Sequence, residues 1–207
     1  MTSQFKTIGH GQAVAMGSIP HLSFEDFAAQ AAAIVAGGGQ VVQFFAFPHG
    51  AGVRLMAVLR DESLLTAVCD APEAYPALTP RCPAFHLFER EIAEQYGIRP
   101  EGHPWLKMVR YHPNRRGVAD VFGNDYDADI PGRYPYYAVT GDEIHEVAVG
   151  PVHAGVIEPG HFRFNCIGER VLNLEIQLGY QHRGVEDLLL KAAGKRLPVI
   201  AESIAGD

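Results

Sequence analysis

Three histidines and one glutamate near the C-terminal third carry the most chemistry. They are His153, Glu158, His161 and His182. Imidazole is a common ligand of zinc, copper and nickel, but no HxxxH or HExxH pair is present, so the spacing predicts no local metal site. Glu158 lies among Val156, Ile157 and Pro159. A carboxylate partly desolvated by such neighbours favours its protonated form and suits proton transfer, whereas the plainer reading is an exposed turn glutamate before a strand. Arg183 and Glu186 are three apart and can pair on one helical face. A second cluster, Glu89-Arg90-Glu91 followed by Glu94, reads as a solvated helix face, and Gly102-His103-Pro104 reads as a turn. Residues two apart on a helix point in different directions, so Glu89 and Glu91 are not expected to form a carboxylate pair. Arg90 and Glu94, four apart, are expected to form an ion pair.

Positioning these groups requires elements that the pattern partly supplies. Ser23 followed by Glu25 and Asp26 makes an N-terminal cap, the alanine-rich run to Ala36 favours helix, and Gly37-Gly38-Gly39 closes it. Gln40 to Phe47 and Val53 to Arg60 are rich in strand formers around the turn residues Pro48 to Gly52, which predicts a hairpin. Leu64 to Cys69 fits a third strand or a helix. Pro83 opens a second helix that runs to Tyr96 and stops at Gly97. Pro113, Gly117, Gly123, Pro131, Gly132 and Pro135 break any periodicity between Met108 and Asp142. A free loop of that length is unusual, so the segment is read as an extended connector lying on another surface. Regular structure resumes at Glu143. His161 to Cys166 and Arg170 to Ile176 predict a second hairpin, and Val185 onward predicts helix.

The run from Tyr75-Pro76-Ala77-Leu78-Thr79-Pro80 through FEREIAEQYGIRPEGHPWL resembles the signature of the thirty-kilodalton subunit of complex I. It resembles more closely the equivalent domain fused to the large subunits of formate-hydrogenlyase-type hydrogenases. Gln95 stands where that signature prefers an apolar residue, and Trp105 where it usually has Asp. Two later stretches, GPVHAGVIEPGHFRF and GYQHRGVEDLL, resemble the opening of the complex I forty-nine-kilodalton subunit and of the nickel-iron hydrogenase large subunit.

The resemblance implies an α+β fold: a two-layer α/β docking domain over 1–112, an extended connector over 113–142, and the β-hairpin and helical start of a hydrogenase-large-subunit-like domain over 143–207. It implies Glu158 as a proton relay. Pro159 takes the place of a quinone-contacting histidine, with His153 or His161 as substitutes. His182, Arg183 and Glu186 would adjoin the iron-sulfur cluster of a small partner subunit, and Glu89, Arg90, Glu91, Gly102, His103 and Pro104 form the docking signature. Ala205 falls where such hydrogenases place their first metal cysteine and Gly206 where complex I has a quinone-site tyrosine. Alanine offers a metal no donor. No cofactor is therefore expected on this chain alone, and a nickel-iron site would need cysteines beyond Asp207. The implied function is that of a subunit of a membrane-associated respiratory or hydrogenase-like redox complex, peripheral to the cytoplasmic face and contacting membrane-embedded subunits. The alternative is a noncatalytic assembly module. A piece of a longer subunit and a naturally short relative both fit the ending.

Composition sets limits on other readings. The 207 residues are 47 % apolar and 20 % charged, with a net charge of -7, so a folded core is expected and attraction to nucleic-acid phosphates is not. Cys69, Cys82 and Cys166 are widely spaced and form no CxxC, which fits a reducing compartment. Phe27 to Phe47 is uncharged, but three glutamines and the glycine triplet interrupt it, so it is not expected to span a membrane.

Overall fold

The computed structural model describes residues 4–112, 114–123 and 135–204. It divides into two compact units, Met1–Arg133 and Tyr134–Asp207. Part of the expected connector, positions 113 and 124–134, and the Ala205 and Gly206 positions lie outside the described residues.

The first unit starts with β1 (Lys6–Ile8), β2 (His21–Leu22) and α1 (Phe24–Ala36), then β3 (Gln40–His49), β4 (Gly52–Arg60) and β5 (Leu64–Asp70). The Ser23 hydroxyl accepts a hydrogen bond from the Asp26 amide at 3.1 Å and caps α1 as its sequence predicts. Strands β3, β4 and β5 form an antiparallel meander, and β1 and β2 share the far edge of β5, giving the order β1-β5-β4-β3. Leu64 to Cys69 is thus strand, because Leu65, Ala67 and Cys69 extend the inward row that Leu55, Ala57 and Leu59 begin on β4. Burial on one sheet face outweighs the helix option that local pattern left open.

The chain continues through β6 (Ala74–Pro76), a single 3-10 turn at Pro83–Phe85, α2 (His86–Tyr96) and β7 (Arg99–Glu101), and β6 pairs with β7 in parallel. Gly97 ends α2 in the left-handed region, at φ 66°. An aromatic column joins the elements: Phe5 on Phe27 at 5.7 Å, Phe27 on Phe44 at 6.1 Å, and Phe44 edge-on to Phe85 at 5.2 Å. Each such ring contributes roughly 1.5–3 kcal/mol by leaving water.

In the second unit, β8 (Ile144–Val149), β9 (His161–Ile167) and β10 (Arg170–Gln177) form an antiparallel sheet in the order β10-β9-β8. The expected hairpin is present, and β8 adds a third strand to it. Two short helices follow, α3 (Val185–Lys191) and α4 (Leu197–Glu202). Cross-strand register puts Val147, Val149, Phe162, Phe164, Leu174 and Ile176 on one face and Glu146, Arg163, Asn165 and Glu175 on the other. Burial does not follow that division: polar residues are buried on one face and apolar residues are exposed on the other. Asn165 and Glu175 are buried beneath residues 136–137, whose Tyr137 amide donates to Glu175 and whose Tyr136 ring lies 4.8 Å from the Arg163 guanidinium. Ile176 on the apolar face is 46 % exposed. Among the described residues of this unit, Cys166 is the one buried apolar side chain.

The class is mixed α and β, with antiparallel sheets and few helices. Among the described residues no helix is long and apolar enough to cross a membrane. Replacing Phe44 by Ala should remove the centre of the aromatic column and cost about 3–5 kcal/mol. Denaturant titration followed by the fluorescence of Trp105, the single tryptophan, checks this for the first unit.

Candidate functional site

Helix α2 carries the densest set of organised polar groups. Phe85, Glu89, Ile92 and Tyr96 share one face, and all four are buried. Glu89 therefore occupies a core position. Its carboxylate accepts hydrogen bonds from the Leu78 amide at 2.7 Å, the Thr79 amide at 2.9 Å and the Thr79 hydroxyl at 2.6 Å. Glu94 is equally buried and accepts from the amides of Val109 at 2.7 Å, Arg110 at 2.9 Å and His112 at 2.9 Å. Between them Arg90 donates to the carbonyls of Lys107 and Met108 at 2.7 and 2.8 Å. The solvated face and the Arg90 to Glu94 pairing expected from the sequence are both replaced. Isolated-helix spacing rules apply to a solvated surface, and here two loops fold over that surface and supply better-placed donors and acceptors. Glu89 and Glu91 do point to different partners, for Glu91 meets Arg110 at 3.0 Å on a half-exposed rim.

The Gly102-His103-Pro104 turn docks on the start of α2. Gly102 adopts φ 75°. His103 donates from Nε2 to the His86 carbonyl at 3.1 Å and accepts at Nδ1 from the Trp105 amide at 3.1 Å. The rings of His86 and His103 stack 5.1 Å apart, and Arg90 donates to His86 Nε2 at 3.3 Å. Both imidazoles are thereby held neutral. Burial, with the nearby Arg90 charge, keeps each below the ordinary imidazole value.

Sequence reading missed this second histidine, the burial of Glu94, and the clamp of Arg116. Arg116 grips Glu73 through two bonds of 2.9 and 3.0 Å and donates to the Tyr96 carbonyl. The Arg116 hydrogen bond to Glu73 holds that carboxyl below its usual range. Helical periodicity through Phe85, Ile92 and Tyr96 was the available signal for Glu89. Nothing local signals partners separated by 43 residues.

In the second unit, the candidate relay groups occupy one loop, 150–161. His153 donates from Nε2 to the Gly160 carbonyl at 2.8 Å, while Gly160 donates its amide to the Pro151 carbonyl. A Cβ on Gly150, at φ 88°, would lie 2.3 Å from the Gly160 oxygen, so only glycine fits there. His161 lies at the loop base, its Nδ1 3.4 Å from the Gly150 carbonyl and its ring 5.5 Å from that of Tyr136. Both histidines are thus engaged with the loop's own framework. Glu158 is exposed, beside Val156 at 83 % exposure, and has no hydrogen bond or ion pair among the described residues. The desolvation expected for it is therefore not met among the described residues, where Val156 and Ile157 are exposed too. His182 accepts from the Gly184 amide at 3.2 Å, and Arg183 donates to the Ser203 carbonyl at 2.6 Å. Gly184, in the left-handed region, caps α3, so Arg183 precedes the helix while Glu186 lies in its first turn.

The three cysteines are free and buried. Burial, assisted by Asp70, pushes the Cys69 thiol up to about 12, which removes it as a nucleophile. Among the described residues no three His, Cys, Asp or Glu side chains converge as a metal site.

Residues 41–122 match the family described as Respiratory-chain NADH dehydrogenase, 30 Kd subunit. The chain is similar to Hydrogenase-4 component G of Escherichia coli (strain K12), 32 % identical over 134 residues, covering 60 % of this chain and 24 % of that protein. It is also similar to Formate hydrogenlyase subunit 5 of the same organism, 32 % identical over 55 % of this chain and 22 % of that protein. The C/D subunit of NADH-quinone oxidoreductase from Methylococcus capsulatus is 25 % identical over 62 % of this chain and 26 % of its own length. The chain thus spans about a quarter of the length of these curated relatives.

Glu94→Gln should keep the shape but lose charge-assisted bonds worth about 1.5–3 kcal/mol each and force an amide N–H against backbone donors. The expected result is a lowered unfolding midpoint together with protease cleavage between 107 and 116. For the His86 and His103 pair, depressed folded values mean that the unfolded chain binds more protons in mild acid. Their contribution should be complete above the unfolded imidazole value, about 6.5, and fall away as pH drops toward the folded values. His103→Gln should flatten that part of the stability-pH curve, measured by denaturant titration between neutral and mildly acidic pH.

Proposed function

We propose that this chain, which carries a domain of the respiratory-chain NADH dehydrogenase 30 Kd subunit family over residues 41–122, is a docking subunit of a multisubunit oxidoreductase. Its class is that of the NADH-quinone oxidoreductase and hydrogenase assemblies named among its relatives. In this reading the first unit is a two-layer docking module without a cofactor. The second is the opening of a hydrogenase-large-subunit-like domain that faces a small iron-sulfur subunit. The complex lies against the cytoplasmic side of the membrane and contacts membrane-embedded subunits.

The exposed apolar row of the β8-β9-β10 sheet carries the proposal. A sheet whose row of Val147, Val149, Leu174 and Ile176 is exposed gains about 25 cal/mol per Å² when protein covers it. Contiguous apolar patches of this kind mark interfaces. Covering that unit would also enclose the 150–161 loop. Glu158 would then acquire the desolvated setting that a proton relay needs. His182, Arg183 and Glu186 would bring a fixed charge close to the neighbour's cluster.

A second reading, a noncatalytic assembly module, draws on a different observation. Glu89 and Glu94 each accept from three well-aligned donors and fasten backbone, whereas Glu158 is exposed. Glu158→Gln in the intact complex separates the two readings. As a relay, Glu158 should be worth about 100-fold or more in proton-coupled turnover, with the complex still assembling. Unchanged turnover with normal assembly favours the module. Recovery of the native protein without any iron-sulfur subunit would remove the docking proposal itself.

A further inference from the structure

The hairpin ladder of β8 and β9 reaches Val149 and Phe162, and the Gly160 amide adds a rung to the Pro151 carbonyl at 3.2 Å. Residues 152–159 form the loop beyond it. The side chain of His153 crosses the mouth of that loop, where its Nε2 donates to the Gly160 carbonyl at 2.8 Å. Gly160 is buried, and a buried carbonyl needs a donor. The imidazole is itself confined, edge-on to Phe162 at 5.6 Å and packed so closely on Gly150 that a Cβ there would lie 2.6 Å from Nε2. Its donor is thus committed to the loop.

The remaining loop residues transmit that tie. The Val156 amide donates to the His153 carbonyl at 3.0 Å across Ala154 and Gly155, which adopt φ 52° and 78°. Two successive left-handed residues close a tight primed turn, and a non-glycine residue stays in that region only where its surroundings hold it. From the turn to Gly160 there remain Ile157, Glu158 and Pro159. Pro159 disfavours helical backbone at Glu158, because the proline ring clashes with the residue before it. The strut bearing Glu158 is therefore pinned at both ends, and His153 holds both of them. Its carbonyl fixes the turn, and its imidazole fixes Gly160.

We propose that His153 is the positioning residue of Glu158: its two bonds fix the strut, and the strut aims the carboxylate. Proton transfer needs donor and acceptor within hydrogen-bond reach, so an aim lost by an ångström costs rate. The inference rests on the relay reading of Glu158 given above. It gives His153 a role apart from the substrate contact that the family resemblance implies.

The intact complex carrying His153→Phe tests it, since phenylalanine keeps a ring beside Phe162 and removes the donor. With subunit composition unchanged, kcat for proton-coupled turnover should fall by about 10- to 100-fold while KM stays. His153→Gln, whose side-chain amide can donate to Gly160, should recover most of the loss. Because the effect passes through the carboxylate, adding His153→Phe to Glu158→Gln should cost nothing further. Full activity in His153→Phe, beside an impaired Glu158→Gln, overturns positioning and leaves the relay standing. A raised KM at constant kcat makes His153 a substrate contact, and additive losses make it an independent catalytic group; either result overturns positioning as well. Unchanged turnover in Glu158→Gln removes relay and positioning together. Should the His153 variants fail to assemble, nitrogen NMR of the unsubstituted full chain decides. A His153 ring with its proton on Nε2 supports the tie to Gly160, and a proton on Nδ1 alone overturns it.

Discussion

A carboxylate stripped of water must recover its lost hydration from fixed donors, and α2 carries two such groups, Glu89 and Glu94. An ionised carboxylate left unpaired in an apolar interior would be prohibitively costly. Each is instead surrounded by three donors, nearly all of them main-chain amides. Charge-assisted bonds of this kind are short and directional. They therefore determine where the loops at 78–79 and 107–112 can lie. Arg90 reinforces the second loop through two carbonyls, and the neutral His86 and His103 pair holds the turn that leads into it. The signature helix is thus a fastening device, and its charged letters act inward.

The two units stand in opposite relation to water. In the first, an aromatic column and helices packed on a meander bury Phe27, Phe44, Phe85 and Leu55 completely or nearly so. Such a unit has its own core. In the second, the buried groups are Asn165, Glu175 and Cys166, and the apolar row of the sheet is open. Inside that unit Glu175 accepts from the Tyr137 amide, and at its surface Arg163 pairs with Glu146. The open row has no such match.

Sequence alone determined the elements whose signals are local. The Ser23 cap, the Gly37 and Gly97 stops, the two hairpins and the helix beginning at Pro83 depend on nearest neighbours in the chain, and the structure has them at or close to the expected residues. The order of the two resembling stretches was also legible, because motifs are read along the chain. Tertiary structure decided the rest. Glu94 reads as a surface charge until residues 109–112 close over it, Arg116 finds Glu73 only by folding, and Glu158 keeps its exposure because burial is set by distant chain. Solvation is a property of the assembled surface, so the chemistry of a carboxylate, unlike the start of a helix, is not written in its neighbours.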